Sequence, residues 1–178
     1  MSVDRSIFRE YDIRGVYPSD LNEKSIEVIA DAISKKCFKE NIASVVVGRD
    51  GRNSGQSLLK VFSDRLVKNG INVKNIGLVT SPVLYFAAKK EVNKSGIMIT
   101  GSHNPKNYNG LKMILNDEPV SGNEIFNLIS EEVKLPLLNA KSEEIDIIDQ
   151  YIDEVCKNIC IKKRIRVVLD SGNGAAGC

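Results

Sequence analysis

The sequence lacks any uninterrupted apolar run that approaches the roughly 20 residues needed to cross a bilayer. Its N-terminus carries charged residues where a signal peptide needs an apolar stretch. It also lacks a basic block, because 25 Lys and Arg are spread among 23 Asp and Glu without long runs of one sign. Dedicated nucleic-acid binding is therefore disfavoured. We expect a cytoplasmic protein with neither a membrane nor a nucleic-acid partner.

Cysteine and histidine are scarce. The four cysteines are too few and too scattered for the disulfide framework of a secreted domain. Cys156 and Cys160 would share one face of a helix, as half of a zinc site does. However, His103 is the only histidine, and no Cys-x-x-Cys lies nearby to complete such a site. We therefore expect reduced, partly buried thiols.

The chain of 178 residues, 42% hydrophobic and 27% charged, can bury the core of one ordinary domain with part of a second. Short, mostly β-branched runs predict strands buried on both faces, and they alternate with stretches of helical spacing. This alternation predicts an α/β fold with a mixed or largely parallel sheet and helices on both faces. The predicted strands are 45–47, 73–76, 97–99, 111–115 and 166–170.

Helix starts are predicted from capping residues. Asp20, with Glu23 three residues later, is typical of a capping box ahead of an apolar stripe. Residues 81–82 are a serine and a proline, a good cap and first turn, and another helix is expected after residues 121–122. The stripes predicted to face the core are Ile26, Ile29, Ala30, Ile33 and Cys37 in one helix and Leu58, Phe62 and Leu66 in the next.

A proline and several polar residues interrupt the pattern between residues 134 and 142, and we place a domain boundary there. The predicted division is 1–138 for a first domain and 139–178 for a linker and the truncated start of a second α/β domain. Such a start, cut after its turn, cannot bury its own sheet edge. Its first helix is predicted from the apolar stripe Ile145, Ile148, Ile152, Val155 and Ile159, and strand 166–170 follows.

The segment Thr-Gly-Ser-His-Asn-Pro at residues 100–105 directly follows a predicted strand, where an α/β sheet presents its ligands. Ser102 lies beside the sole imidazole, that of His103. Serine is a poor nucleophile until a base, a metal or a fixed electrostatic setting assists it. These residues alone leave a reactive serine and a simple turn both open, because Ser, Asn, Gly and Pro favour turns for backbone reasons. A protease-like triad is less favoured, since adjacent Ser and His rarely point productively at each other.

Two glycine-rich turns each allow two interpretations. Residues 48–55 follow a strand and open a helix, so their N–H groups could hold an anion, although Gly-Lys-Ser/Thr of a Walker A loop is missing. The favoured interpretation is a structural turn whose Asp and Arg residues pair locally. Residues 172–177 match Gly-x-Gly-x-x-Gly only formally, because a dinucleotide site needs a following helix and an acidic residue further on.

Taken together, several motifs strongly resemble the α-D-phosphohexomutase family, specifically its bacterial phosphomannomutase/phosphoglucomutase group. The resemblance covers the whole chain in order and spacing. It rests on Thr-Gly-Ser-His-Asn-Pro at 100–105, Tyr-Asn-Gly-x-Lys at 108–112, Tyr-Asp-Ile-Arg-Gly at 11–15, Gly-Arg-Asp-Gly-Arg at 48–52 and Thr-Ser-Pro at 80–82.

The resemblance implies a role for each of five residues. Ser102 matches the serine that is phosphorylated at rest, gives its phosphoryl group to a hexose monophosphate and regains one from the bisphosphate. His103 matches a neighbour that helps to orient this loop. Arg14 and Lys112 match cations near the transferring phosphate, where such groups stabilise charge and assist proton movement. Tyr11 matches a residue at the wall of the substrate site.

The family's cofactor is Mg²⁺, bound by the serine phosphate and by an Asp-Gly-Asp-Gly-Asp loop that this sequence does not contain. The resemblance therefore implies the N-terminal fragment of a four-domain mutase, with domains 2–4 missing and the fragment inactive alone. Its parent would interconvert hexose 1-phosphate and 6-phosphate of mannose or glucose through a hexose 1,6-bisphosphate. The alternative is a non-catalytic module that binds a phosphate ester or a partner.

Overall fold

The computed structural model describes residues 3–135, 139–157, 159–172 and 174–177. Its strands are β1 (Ile13–Val16), β2 (Ser44–Arg49), β3 (Asn72–Leu78), β4 (Gly96–Ile99), β5 (Tyr108–Leu115), β6 (Glu118–Pro119) and β7 (Ser142–Glu144). They form one sheet in the order β1-β5-β4-β2-β3-β7, with β6 beside β5. The pairs among β4, β2, β3 and β7 are parallel, whereas β5 pairs antiparallel with its neighbours. The predicted α/β class with a mixed sheet is confirmed.

Helices cover both faces of the sheet. The helices are α1 (Glu23–Lys39), α2 (Gly55–Lys68), α3 (Ser81–Lys90), α4 (Gly122–Ile129) and α5 (Ile148–Lys157). The first, second and fourth enclose the larger core on one face, and the third contacts the other face with α5 packed against it. Both stripes predicted for α1 and α2 are buried in the larger core.

The central strand β2 shows why the sheet is buried on both sides. Val45 and Val47 belong to the larger core, whereas Val46 between them belongs to the smaller core beneath α3. The same alternation places Ile97 and Met98 on opposite faces. A continuous apolar run is therefore required at these positions, as the sequence predicted.

Ser81, expected to cap α3, is instead its first residue, with Thr80 as the N-cap and Pro82 in the first turn. Helix α1 also differs from the prediction. Its N-cap is Asn22, whose side chain accepts a hydrogen bond from the N–H of Ser25. The Ser25 hydroxyl accepts in return from the N–H of Asn22, and the two hydrogen bonds form a capping box. The prediction that Asp20 caps this helix is wrong. The Asp20 carboxylate instead accepts from the N–H of Val16 and so stabilises the preceding turn. The prediction for α4 is confirmed, because Ser121 caps its first turn.

The segment after α4 extends the sheet. The predicted boundary between residues 134 and 142 includes residues 136–138, which lie outside the described residues, and the division into domains stays a prediction. The three residues of β7 pair in parallel with β3, and Ile147 belongs to the smaller core. The helix predicted from Ile145 to Ile159 is shorter, because Ile145 packs against the core after β7 and Ile159 lies beyond α5.

The strand predicted at 166–170 is wrong. Val167, Val168 and Leu169 have exposed fractions of 65%, 99% and 79%, and the described residues offer this run no neighbouring strand. An apolar run without a pairing partner cannot form a sheet edge. For the same lack of cover, Cys156 and Cys160 are exposed rather than partly buried. The start of a second domain stays a prediction, and Asn173 and Cys178 of the final turn lie outside the described residues.

Across the described residues, no helix has the length and apolar character that a membrane span requires.

Candidate active site

The serine loop and the turn at 50–54 lie side by side at one edge of the sheet. Strands β2 and β4 are parallel neighbours, with Arg49 opposite Ile99, so both chains leave the sheet at the same end. The serine loop, residues 100–108, joins β4 to β5 and includes Tyr108, the first residue of β5, and residues 50–54 connect β2 to α2. The carboxyl ends of parallel strands are the usual place for a ligand in such a fold. The topology therefore places the turn that the sequence favoured as purely structural beside the serine loop.

Ser102 occupies a strained backbone conformation within this loop. Its φ angle is +54°, in the left-handed region that costs a residue with a side chain about 1 kcal/mol or more. Its N–H donates to Thr100 Oγ1 at 2.8 Å, and Thr100 Oγ1 donates to Asp50 Oδ2 at 2.7 Å. The buried Thr100 thus joins the serine to the neighbouring turn, and this connection helps to maintain the strained conformation.

Arg52 makes the most extensive contact between the two loops. Its Nε donates to Asp50 Oδ2 at 3.2 Å. The four remaining N–H groups reach backbone oxygens of the serine loop: Ser102 at 3.0 Å, Asn104 at 2.7 Å, Pro105 at 2.6 Å and Tyr108 at 2.8 Å. A guanidinium has five N–H donors, so all of them are used. The cation is only 12% exposed and is fully hydrogen-bonded.

Arg14 approaches the serine loop from β1. Its Nε donates to Asp12 Oδ2 at 2.6 Å, and its Nη2 lies 2.6 Å from the same oxygen. Its Nη1 donates to Asn104 Oδ1 at 2.6 Å, across 90 residues of sequence. At least one N–H on each terminal nitrogen remains, so Arg14 can still bind an anion beside the loop.

Lys112 lies on the same face of the sheet as Arg14. Arg14 pairs with Gly110 across β1 and β5, and residues two apart on a strand share a face. Lys112 lies opposite Met98 of β4 and is half-buried. Within the described parts of the chain, its ammonium group has no hydrogen-bond or ion-pair partner. Two cations, one from β1 and one from β5, therefore lie on the same face of the sheet.

The two other predicted site residues are less closely held. His103 is exposed, and its Nδ1 lies 3.4 Å from Ser102 Oγ, a long contact at most. Tyr11 is 79% exposed in the turn before β1. The structure thus joins Ser102, His103 and Arg14 through the loop, places Lys112 on the same face of the sheet as Arg14, and leaves Tyr11 on the surface.

The far end of the serine loop is fixed by a second set of contacts. The N–H of Tyr17 donates to Asn107 O at 2.7 Å, and the Tyr17 hydroxyl donates to Glu23 Oε1 at 2.9 Å. Ser57 also donates to this oxygen, at 2.8 Å, and this hydrogen bond is the main cause that lowers the pKa of Glu23. The hydrogen bond to Glu23 raises the pKa of Tyr17. An ionised glutamate therefore anchors the residue that holds the loop end.

Sequence reasoning missed the role of Arg52 and Asp50. It predicted a turn whose acidic and basic residues pair locally, and the Asp50–Arg52 pair confirms that local part. The additional contacts reach residues about 50 positions away. The available signal was the position of both turns after buried strands, because parallel neighbours bring such turns together.

Carboxylates near the loop are already paired. Asp12 is held by Arg14, and Asp50 by Arg52 and Thr100. In the described ranges, no group of three or more His, Cys, Asp or Glu residues could hold a metal. These residues do not by themselves make up a magnesium site.

Comparison with known proteins agrees with this geometry. The family model described as phosphoglucomutase/phosphomannomutase, alpha/beta/alpha domain I, matches residues 5–135. The chain belongs to the phosphoglucomutase/phosphomannomutase family. It is 40% identical over 180 residues to a phosphoglucomutase of Neisseria gonorrhoeae, covering 99% of this chain and 39% of that protein. It is also 40% identical over 174 residues to a phosphomannomutase/phosphoglucomutase of Pseudomonas putida, covering 97% and 38%.

A solved structure of this family has the same fold. The phosphoglucomutase/phosphomannomutase family protein of Burkholderia thailandensis superposes with a TM-score of 0.83 at 32% identity. The match covers 91% of this chain and 38% of that one. The chain therefore spans about 39% of the length of the curated relatives it matches.

Proposed function

We propose that this chain is the phosphoryl-carrying part of a phosphohexomutase that interconverts the 1-phosphate and 6-phosphate of mannose or glucose. The observation that carries the proposal is the position of Ser102, in a strained and tightly hydrogen-bonded loop beside the Arg14 guanidinium. The loop also begins directly after the buried strand β4, at the end of the sheet where such folds bind their ligands. Family membership supports the same conclusion.

In the proposed reaction, a hydroxyl oxygen of a hexose monophosphate attacks the phosphorus of phosphorylated Ser102. The bond from phosphorus to Ser102 Oγ breaks, a bond to the sugar oxygen forms, and the hydroxyl proton passes to a base. The product is a hexose 1,6-bisphosphate. In the second transfer, Ser102 Oγ attacks the other phosphorus of that bisphosphate, the bond from this phosphorus to the sugar oxygen breaks, and the serine proton passes to that sugar oxygen. The phosphoserine is restored and the isomeric monophosphate leaves.

The other site residues act on charge and position. Arg14, held in place by Asp12 and Asn104, donates its remaining N–H groups to the phosphoryl oxygens. Lys112, which has no partner among the described residues, lies on the same face, where it stabilises the developing charge and assists proton movement. His103 helps to orient the loop, and Tyr11 lines the approach of the sugar.

We assign magnesium and the sugar-binding parts to a longer protein. When bound, Mg²⁺ neutralises phosphoryl charge, and here only the Ser102 phosphate would contact it. The relatives extend well beyond the matched region, which supports domains 2–4 as the partners of this chain. The predicted first domain, 1–138, carries the serine loop, and residues 139–178 begin the connection. A cytoplasmic location fits the phosphosugar substrates.

Phosphoryl transfer to Ser102 tests the proposal directly. The full-length protein, meaning this chain with any residues its gene adds, is incubated with glucose 1,6-bisphosphate labelled with ³²P. We expect the label on the peptide containing Ser102 and its release on addition of unlabelled glucose 1-phosphate. Ser102→Ala should take up no label, whereas Ser130→Ala, at an exposed serine after α4, should label normally. Phosphate binding without any transfer would favour the non-catalytic module.

A further inference from the structure

Gly101 lies directly against the guanidinium of Arg52. A Cβ atom at residue 101 would come within 2.4 Å of Arg52 Cζ and 2.5 Å of Arg52 Nε. A flexible arginine could normally move aside, but this one is held by five hydrogen bonds to Asp50 and to four loop carbonyls. The side chain therefore occupies a fixed place beneath the serine loop, and only glycine at residue 101 leaves room for it.

We propose that Arg52 is a positioning residue for the serine phosphoryl carrier, fixing the backbone of residues 102–108 in the conformation that presents Ser102. This inference rests on the proposed function. Arg52 itself does not need to touch the substrate. It acts through the carbonyl oxygens of Ser102, Asn104, Pro105 and Tyr108.

The direction of these hydrogen bonds favours a role in the loop over a role in the core. Four of the five go to the loop, whose residues His103, Pro105, Lys106 and Asn107 are exposed and bury little apolar surface. Hydrogen bonds must therefore define its shape. Four carbonyl oxygens, which would repel a phosphate if they faced it, are directed at a cation instead.

A lysine at residue 52 could not make the same set of hydrogen bonds. A lysine ammonium has three donors on one nitrogen, whereas the planar guanidinium spreads five donors over three nitrogens. Arg52→Lys keeps the positive charge but cannot reach carbonyl oxygens at both ends of the loop. This variant separates the geometry of the hydrogen bonds from the charge.

The kinetic test uses Arg52→Lys in the full-length protein. We expect kcat to fall by about 100-fold, the effect of displacing a reacting group by about 1 Å, with KM changed less than about twofold. Arg65→Lys is the matched control, because Arg65 is also a partly buried, paired arginine, but it joins α2 to Asp31 of α1. It should lower stability and leave kcat nearly unchanged. A wild-type kcat in Arg52→Lys would overturn the proposal.

Hydrogen exchange of the same proteins gives a readout that does not depend on activity. In Arg52→Lys, the N–H groups of Ser102, Asn104 and Tyr108, which are bonded within the loop, should exchange about tenfold faster or more. Amides of α1 should exchange as in the wild type. Equal acceleration throughout the fold would mean that Arg52 is only structural, and unchanged loop exchange would equally overturn the proposal.

Gly101→Ala provides an independent route to the same displacement. It should accelerate loop exchange in the wild-type background but add little in Arg52→Ala, because the guanidinium that it would strike is gone. Additive effects of the two changes would contradict the inference. If Ser102 takes up no phosphoryl group in the wild type, the proposed function fails, whereas the exchange results still decide whether Arg52 holds the loop.

Discussion

Arg14 Nη1 donates a hydrogen bond to Asn104 Oδ1 at 2.6 Å, so the first strand of the sheet is joined to the serine loop. The same guanidinium is bound by the buried Asp12, which fixes its orientation. An arginine held on one side by a carboxylate and on another by an amide has few accessible rotamers. It therefore presents its remaining N–H groups in a fixed direction, as an anion site requires.

The first prediction concerns this anion site. Inorganic phosphate should shift the amide resonance of Ser102, and Arg14→Lys or Lys112→Ala should each weaken phosphate binding by about tenfold, equivalent to about 1.4 kcal/mol. Binding should also weaken as salt rises, because the attraction is largely electrostatic. An NMR titration measures both effects. Lys60→Ala is the control, since Lys60 is an exposed residue of α2 paired with Asp64. Wild-type affinity in either site variant would place that cation elsewhere.

The second prediction separates the hydroxyl of Ser102 from its backbone strain. Ser102→Ala and Ser102→Gly both remove the phosphoryl acceptor, so both should nearly abolish turnover of the full-length protein. Glycine accepts the left-handed φ of +54° without strain, whereas alanine does not. Urea unfolding should therefore show Ser102→Gly to be more stable than Ser102→Ala by about 1 kcal/mol. Equal stabilities would show that the loop relaxes when the hydroxyl is lost.

The third prediction is that the chain of 178 residues has no measurable mutase activity by itself. The sequence contains no Asp-Gly-Asp-Gly-Asp loop, and the carboxylates of Asp12 and Asp50 are engaged by arginines. Phosphoryl transfer depends on positioned charge more than on covalent chemistry. The assay uses glucose 1-phosphate or mannose 1-phosphate with magnesium and a bisphosphate activator, on protein from a host lacking its own mutase. Robust turnover would refute the prediction that this chain is inactive without further domains.

Local sequence patterns were sufficient for the elements of the core. The runs in β2 and β4 are apolar because helices cover both faces of these strands, and the stripes of α1 and α2 are apolar because one face of each helix packs on the larger core. In both cases the local pattern predicts the burial directly. The polar strand β7 carries no such pattern, and it forms because β3 offers it an edge. The apolar run 166–170 shows the converse, because it has no edge to join in the described chain.

The site was predictable only where its residues form one continuous motif. Ser102 and His103 belong to a local turn, and Arg14 and Lys112 were placed there through the family resemblance. The contribution of Arg52 could not be predicted in this way. Its four loop contacts depend on the pairing of β2 with β4, which is a property of the folded sheet rather than of any local window.

The fourth prediction concerns thiol reactivity. Cys37 is fully buried in α1, and burial raises the pKa of its thiol to about 12, whereas Cys156 and Cys160 are exposed. Because the thiolate is the reactive form, iodoacetamide at about pH 8 should modify the two exposed cysteines and spare Cys37. Peptide mass mapping measures this, and Cys37 should react as well in denaturant. Modification of native Cys37 at the rate of Cys156 would contradict the packing of α1.

The last prediction concerns pH and the junction of α1 with α2. Asp31 accepts hydrogen bonds from Arg65 Nε at 2.6 Å, from Arg65 Nη2 at 2.7 Å and from Asn69 Nδ2 at 2.7 Å. Burial alone would raise the pKa of Asp31, but the hydrogen bonds from Arg65 and Asn69, together with nearby positive charge, outweigh it and lower the pKa. Such a carboxyl stabilises the fold above its unfolded pKa of about 3.9.

This stabilisation is lost as the pH falls through the folded pKa of Asp31, where the group becomes protonated in both states. Asp31→Asn should therefore lower the free energy of unfolding by about 1 kcal/mol at neutral pH, and the difference from the wild type should shrink below about pH 3.9. Urea unfolding at stepped pH measures it. Asp64→Asn is the control, because Asp64 forms only an exposed pair with Lys60 and should give a smaller change. A destabilisation by Asp31→Asn that stays constant down to acid pH would show that packing, and not the charge of Asp31, joins the two helices.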